Sequence, residues 1–450
     1  MKNTEIKDII WSLMNNIRGI IYTRNPALSA IRLLFLKYVI DNNTGVTSIE
    51  DMQQCARAQK MFAMRDVDSG IDTVFAVLKY IDGAYNLDDI LSHSVGDYAR
   101  ELFGMDIAAS KKGATSDEFK KLLDMLGQYD FEEDDDSHSI GRLLVDEFVD
   151  VFYQTADRKS FTGMFTSKRS LNLLAKGLLK VTHADTFCDY ASGAGLSTLA
   201  ITSDVDPKIV NVEVNSEIAA LSAMLYILYG YSHINVICAD SLRTRLPEVS
   251  GTKLFVDGPI AVKLEDTDTN HYRDSSLAVV DKAIHCYLES EGKAVITVPS
   301  GVLFNSSAPA LKLREELIER GMVEAVIALP PLWNGTNIGT NLLVIDKSIP
   351  RNSVLFINAL DIIKSSVKNT TKGNGELSKD AIAKVIDTID LYENEEGFSA
   401  IIDSVAIRDN KFNLTPAAYV TAIAEEDSTT LEEIDTELKN LYACLQKLLS

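Results

Sequence analysis

Clustered cysteine and histidine, long apolar runs and positive charge are all scarce in this chain, and each shortage removes a class of function. The five cysteines (Cys55, Cys188, Cys238, Cys286 and Cys444) stand far apart with no CxxC pair, and the six histidines form no HExxH or Cys/His cluster. Such a scattered, odd set predicts reduced thiols in a cytoplasmic protein, no zinc site, and a mechanism that needs no metal. The start, MKNTEIKDIIWS, has neither the basic flank nor the apolar stretch of a secretion signal. The most apolar segment, residues 31–40, is interrupted by Arg32 and Lys37. It is too short to cross a bilayer, so a buried helix is expected there and no membrane partner. Lys and Arg total 44 against 65 Asp and Glu, a net charge of −21. Phosphate affinity rests on basic side chains, so nucleic acid would be held only with a partner that brings basic surface.

What is present is ordinary globular composition, 46% hydrophobic and 24% charged, over 450 residues, enough for two or three domains. Residues 1–155 read as a helical domain, with periodic apolar positions and Asp, Asn and Ser at helix starts. Within it QYDFEEDDDSHS (residues 128–139) carries six acidic residues and is expected as a solvated linker before an amphipathic helix over 140–153. From about Thr186 short apolar runs alternate with helical stretches: TFCDY, IVNVEV, INVICAD, KLFVD, GKAVITVP, VEAVIALP and NLLVIDK. This alternation predicts an α/β domain over 156–347, with a mainly parallel, Rossmann-like sheet covered by helices. The last two runs are joined by a loop too short for a crossover helix, so they should form an antiparallel hairpin at that end of the sheet. The remaining region, 348–450, contains a strand near 354–357 and a terminal helix over 430–449. In that helix Leu431, Ile434, Leu438, Leu441, Leu445 and Leu448 repeat at spacings of 3 and 4, after a Thr429/Glu432 capping box. Packing on the chain's own body and docking on a partner helix are equally good readings of this stripe.

FCDYASGAGLSTLAI (residues 187–201) is a strand, a small-residue turn and a helix. Gly193 and Gly195 allow tight turning and close backbone approach to a ligand. A GxG turn by itself also occurs in other nucleotide sites and in plain turns. Here Asp189 ends the first strand, and Glu213 ends the next, where a carboxylate can hold ribose hydroxyls. Asp240 ends the third, where a carboxylate can accept from an adenine amino group. Thr198 stands where the dinucleotide fingerprint has its third glycine. The ordered set of acidic strand ends suits S-adenosylmethionine better than NAD.

On these residues the chain resembles the modification subunit of type I restriction–modification systems, an N6-adenine DNA methyltransferase family. IRG followed by AIRLLFLKYVIDN resembles the family's helical domain, and FTGMFTSKRSLNLLAKGLL its segment before the glycine turn. EVNSEIAALSAMLYILYG, GKAVITVPSGVLF, LREELIERGMVEAVIALPPLWNGTNIGTNLLVIDK, VLFINA and EGFSAIIDSVAIRDNKFNLTPAAYV resemble later blocks in the right order. The resemblance implies an S-adenosylmethionine site lined by Thr166, Asp189, Gly193, Gly195, Glu213 and Asp240. It also implies that Asp257-Gly258-Pro259-Ile260 occupies the place of the catalytic tetrapeptide Asn-Pro-Pro-Phe. The Pro330-Pro331 pair falls after a later strand and is expected as a structural turn. The partners implied are DNA, reached through a complex, and a specificity subunit docked on the 431–448 stripe, since no insertion here is large enough for an independent target-reading domain. A restriction subunit and a second modification subunit are left open.

For that chemistry a delocalised adenine amine must be flipped out and oriented by a side-chain oxygen, a backbone carbonyl and a stacked ring. Asp257 keeps the oxygen and Gly258 the carbonyl. Ile260 offers no aromatic face, where stacking is worth about 1–3 kcal/mol per base. Ser167-Lys168 in place of Pro-Arg is a second departure. Two readings follow: a variant adenine methyltransferase, or a methyltransferase-fold subunit serving binding and assembly with little or no catalysis. A metabolite or RNA methyltransferase is disfavoured by the terminal blocks.

Overall fold

The computed structural model describes residues 3–20, 26–64, 70–93, 116–133, 139–156, 168–259, 262–264, 272, 275–330, 339–360 and 376–420. Thr166, Ile260, Pro331 and the 430–449 heptad segment lie outside the described residues.

The N-terminal region is built from α1 (Asn3–Ile20), α2 (Pro26–Asp41), α3 (Ile49–Met64), α4 (Gly70–Tyr85), α5 (Ser116–Leu126) and α6 (Ile140–Ala156). The apolar segment 31–40 is the buried helix expected: every α2 residue from Ala27 to Ile40 is buried. A charge can stay in such a place only with a partner. Lys37 pairs with Asp41 one turn on, and Asp41 also accepts from the Phe131 N–H at 3.0 Å. The acidic stretch 128–139, expected as a solvated linker, is that only in part. Glu133 folds back to cap α6, accepting from the N–H groups of Ile140 at 2.8 Å and Gly141 at 3.0 Å and from the Tyr38 hydroxyl at 2.9 Å. Residues 134–138 lie outside the described residues.

The second region follows as α7 (Arg169–Leu179), β1 (Thr186–Asp189), α8 (Leu196–Ile201), β2 (Lys208–Glu213), α9 (Ser216–Tyr229), β3 (Ile234–Cys238), β4 (Gly251–Val256), α10 (Ser275–Lys282), β5 (Leu288–Pro299), α11 (Ser300–Phe304), α12 (Ala308–Glu319), β6 (Val323–Leu329), β7 (Thr340–Asp346), β8 (Ser353–Asn358), α13 (Lys379–Leu391), β9 (Ser399–Asp403) and α14 (Ser404–Asp409). One nine-stranded sheet runs β3-β2-β1-β4-β5-β7-β6-β8-β9. The first five are parallel, while β7 is antiparallel to both β5 and β6. The expected hairpin is thus β6–β7, and β8 and β9 extend the sheet beyond it. Sequence reasoning missed β9, whose SAIID pattern is short and only half-buried.

Alternation within each strand divides the core between the two faces. Leu254 and Val256 point into one cluster with α10 and α12, whereas Phe255 points into the other with α7 and α13. Burial on both faces explains why the strands read as unbroken apolar runs. The N-terminal helices share a third cluster with α9 and β3. There α6 meets α9 at backbone contact, because a Cβ on Gly141 would run into the Leu228 carbonyl. Arg142 seals the crossing with a 3.1 Å bond to the Tyr229 carbonyl. Among the described residues no helix is long and apolar enough to cross a membrane.

Candidate active site

β1 leads through α8 to β2 on one side, while β4 pairs with β1 on the other. The carboxyl ends of β1 and β4 therefore flank the switch point where open α/β sheets form ligand crevices. Asp189 is the last residue of β1 and Asp257 the first after β4. Glu213 ends β2, and Asp240 lies two residues beyond β3. The expected acidic residues that come from separate strands are thereby brought to one edge.

Asp189 is 2% exposed. Its Oδ1 accepts from the Ala191 N–H at 3.0 Å. Burial, reinforced by the nearby Asp257 and Glu213 carboxylates, pushes its carboxyl up to about 8. Glu213 is held in the turn itself: Oε2 accepts from the Gly193 N–H at 3.0 Å and Oε1 from the Asn215 N–H at 2.8 Å. The Asp240 Oδ1 caps its own turn, accepting from Leu242 at 3.1 Å and Arg243 at 3.0 Å. Its Oδ2 lies 3.6 Å from the Arg243 guanidinium, so this carboxylate is already shared.

The glycine turn is left-handed at both positions, with φ of 53° at Gly193 and 76° at Gly195. L-residues avoid that region, and Gly195 is constrained twice. The Tyr226 hydroxyl occupies the place a Cβ would take. Tyr226 also donates to the Gly195 carbonyl at 3.4 Å and is held by the Asn211 amide, which donates to Thr198 Oγ1 at 2.8 Å. α8 is six residues long, so the backbone geometry of the turn carries more of the site than a helix end does.

On the β4 side, Asp257, Gly258 and Pro259 leave the strand and are held by the first residue of α10. The Ser275 hydroxyl donates to the Pro259 carbonyl and accepts from the Val262 N–H at 3.1 Å. The backbone N–H of Ser275 donates to the Val262 carbonyl at 2.9 Å. Gly258 sits where a Cβ would approach Val279 Cγ2 to 2.8 Å, so a larger residue there would force Val279 to shift. Thr166 and Ile260 lie outside the described residues. Pro330 directly follows β6, on a different strand from the Asp257 turn.

Sequence reasoning did not single out Tyr226, Asn211 or Ser275, because each works through a neighbour distant in the chain. Val214 was also missed. It is an aliphatic residue 64% exposed beside Glu213, and an apolar side chain standing in water at a polar rim is a signal only solvent exposure reveals.

The profile of the N-6 DNA methylase family matches residues 148–428, more than half of the chain. The chain belongs to this family. Among relatives of this N-6 DNA methylase chain, the type I restriction enzyme MpnII methylase subunit of Mycoplasma pneumoniae is 27% identical over 330 residues, which is 65% of this chain and 58% of the relative. The MjaVIII methylase subunit of Methanocaldococcus jannaschii is 24% identical over 361 residues, 71% of this chain and 60% of the relative. The chain therefore spans about three-fifths of the length of these curated relatives. The crystal structure of a type I restriction–modification methyltransferase subunit from Streptococcus thermophilus superposes with a TM-score of 0.68 at 18% identity, over 93% of this chain and 100% of that one. The Rossmann-like α/β fold and the family resemblance read from the N-6 DNA methylase sequence are both borne out.

Proposed function

We propose that the chain is the modification subunit of a type I restriction–modification complex, methylating the exocyclic amine of adenine in DNA. The observation that carries this reading is the placement of Asp189 and Asp257 on either side of the β1/β4 switch point, beside the left-handed Gly193/Gly195 turn. S-adenosylmethionine is the cofactor that fits, and when bound it supplies an electrophilic methyl on a sulfonium. The fit is electrostatic. Asp189 is buried among carboxylates that oppose its ionisation, and a ligand bearing sulfonium and ammonium charge restores the ionised form. Glu213 presents the free lone pairs of a carboxylate already oriented by two backbone N–H groups to a ribose diol, and Val214 offers an apolar rim next to it. Asp240 is an acceptor shared with Arg243. Thr166 completes the proposed set.

The residues at the β4 turn divide the work on the base. Asp257 accepts from the amino group through its side chain and Gly258 through its carbonyl, while Ser275 holds the turn by engaging the Pro259 carbonyl. Positioning and electrostatics supply the rate. A second reading, an assembly subunit without catalysis, is favoured by one feature of the sequence: residue 260, at the position of the family tetrapeptide's aromatic, is isoleucine. DNA, a specificity subunit reading its sequence, and a cytoplasmic setting complete the proposal. The regions 1–155, 156–347 and 348–450 belong to it as well, the last supplying β8 and β9 to the sheet of the second rather than forming a separate domain.

Calorimetric titration with S-adenosylmethionine, followed by a methyl-transfer assay on DNA with the specificity partner present, tests the reading. Transfer abolished by Asp257→Ala in a protein that still binds cofactor supports it. Binding without transfer favours the assembly role, and absence of binding overturns the cofactor site.

A further inference from the structure

We infer that Tyr190 and Val279 form a positioning pair that sets the Asp257-Gly258-Pro259 turn from the cofactor side of the site; the inference rests on the methyltransferase reading above and deepens it. Tyr190 directly follows Asp189, and its hydroxyl donates to the Val279 carbonyl at 2.6 Å. Its ring lies against Tyr287, with centroids 4.6 Å apart. Tyr287 closes the π-helical turn Ala283–Tyr287 that widens the end of α10, and it donates to the Ser241 carbonyl at 2.7 Å. Ser241, the residue after Asp240, returns a hydroxyl bond to the Tyr190 carbonyl at 2.5 Å. The circuit is closed: it joins the ends of β1 and β3 to the helix that follows the catalytic turn. Wide helical turns of this kind concentrate at functional sites.

The other side of Val279 faces the chemistry. A Cβ on residue 258 would strike its Cγ2 at 2.8 Å, while Cγ1 at 3.5 Å would be in ordinary contact. Ser275, one helical turn earlier on the same face of α10, grips the Pro259 carbonyl. The Ser275/Val279 face is therefore the template on which Asp257 and the Gly258 carbonyl are aimed, and the Tyr190 hydroxyl anchors that face. An error of about 1 Å in such aim costs up to roughly a hundredfold in rate. A side chain at 258 would force Val279 to shift, so Gly258 and Val279 are sterically matched although far apart in the sequence.

Two measurements on the full chain test this. The first needs no activity: urea unfolding of Gly258→Ala, Val279→Ala and the double variant. A loss caused by Gly258→Ala that disappears in the Val279→Ala background supports the contact, and additive losses overturn it. The second is single-turnover methyl transfer by Tyr190→Phe in complex with the sequence-reading partner. A slowing of about tenfold with unchanged S-adenosylmethionine affinity supports positioning, since a merely structural hydroxyl would lower stability and leave the rate of the folded protein alone. A wild-type rate in Tyr190→Phe overturns the inference while the methyltransferase reading stands. A wild-type complex that binds cofactor but transfers nothing overturns that reading, and the positioning role falls with it.

Discussion

The hydroxyl of Tyr226 fills the space that a Cβ on Gly195 would need, and it reaches the Gly195 carbonyl across 3.4 Å. α9 thereby dictates the residue type in the glycine turn from 31 positions away. Gly195→Ala combines this clash with a φ of 76°, and left-handed backbone costs about 1–2 kcal/mol in an L-residue. Adding Tyr226→Phe removes the oxygen but neither the ring carbon at 2.7 Å nor the backbone strain. The double variant is therefore expected to remain destabilised and unable to bind S-adenosylmethionine. Urea unfolding and calorimetry check both points.

On the proposed reading, Asp189 is expected to make S-adenosylmethionine affinity depend on pH. Its carboxyl is pushed by burial, and by Asp257 and Glu213, from 3.8 to about 8. The folded state therefore holds an extra proton between those values, and its stability relative to the unfolded chain falls as pH rises through about 8. Asp189→Asn should flatten this fall and raise Tm at pH 8, while weakening cofactor binding. In the natural chain binding should strengthen from pH 6 to 8 and release a proton, seen as buffer-dependent calorimetric heat at about pH 7.

Glu133 has the opposite sign. Burial opposes its ionisation, but the Gly141 and Ile140 N–H groups, with Ser139 and Tyr38, hold its carboxyl below the ordinary 4.5. That stabilisation is fully present above 4.5 and is lost as pH falls through the lower folded value. Glu133→Ala removes the cap of α6 and should cost about 0.5–2 kcal/mol at pH 7, less at pH 3, by urea unfolding.

The Arg314 guanidinium, almost fully buried, bridges the carbonyls of Phe412 at 2.8 Å, Val302 at 3.0 Å and Asn305 at 2.9 Å. Arg314→Met leaves these carbonyls without their charged donor and should cost about 3 kcal/mol or more. The loss should be local: the Leu414 N–H, bonded to the Leu303 carbonyl at 2.9 Å, is expected to lose hydrogen-exchange protection first.

Deletion of residues 431–450 tests the terminal heptads as a docking helix. The truncated chain should keep its Tm but lose the complex with the specificity subunit on size-exclusion chromatography. Unchanged complex formation sends the partner interface elsewhere.

Restoring the family tetrapeptide is a more demanding experiment than the motif alone indicates. Gly258→Pro with Ile260→Phe would drive a Cβ against Val279, so the useful triple variant adds Val279→Ala. Its transfer rate should exceed that of the double variant.

Much of the architecture was legible because local rules agreed with the global fold. The strands β1 to β8 announced themselves as short apolar runs, since a sheet covered on both faces needs no polar side. The segment 31–40 declared a buried helix despite Arg32 and Lys37. What failed was long-range or marginal. β9 is half-exposed at the sheet edge and too short for a periodic signal. The acidic stretch looked solvated because the sequence cannot show that Glu133 turns back onto the helix it precedes.

The succession of acidic strand ends, the glycine turn and the Asp257-Gly258-Pro259 segment after the fourth strand could be read from the chain alone, because backbone rules and side-chain chemistry act within a few residues. Three-dimensional packing is what makes Asp189, Glu213 and Asp257 act on one another, sets Tyr226 against Gly195, and matches Val279 to Gly258. Those choices come from close packing and from electrostatics in a buried crevice, where distance in space, not along the chain, sets the energy.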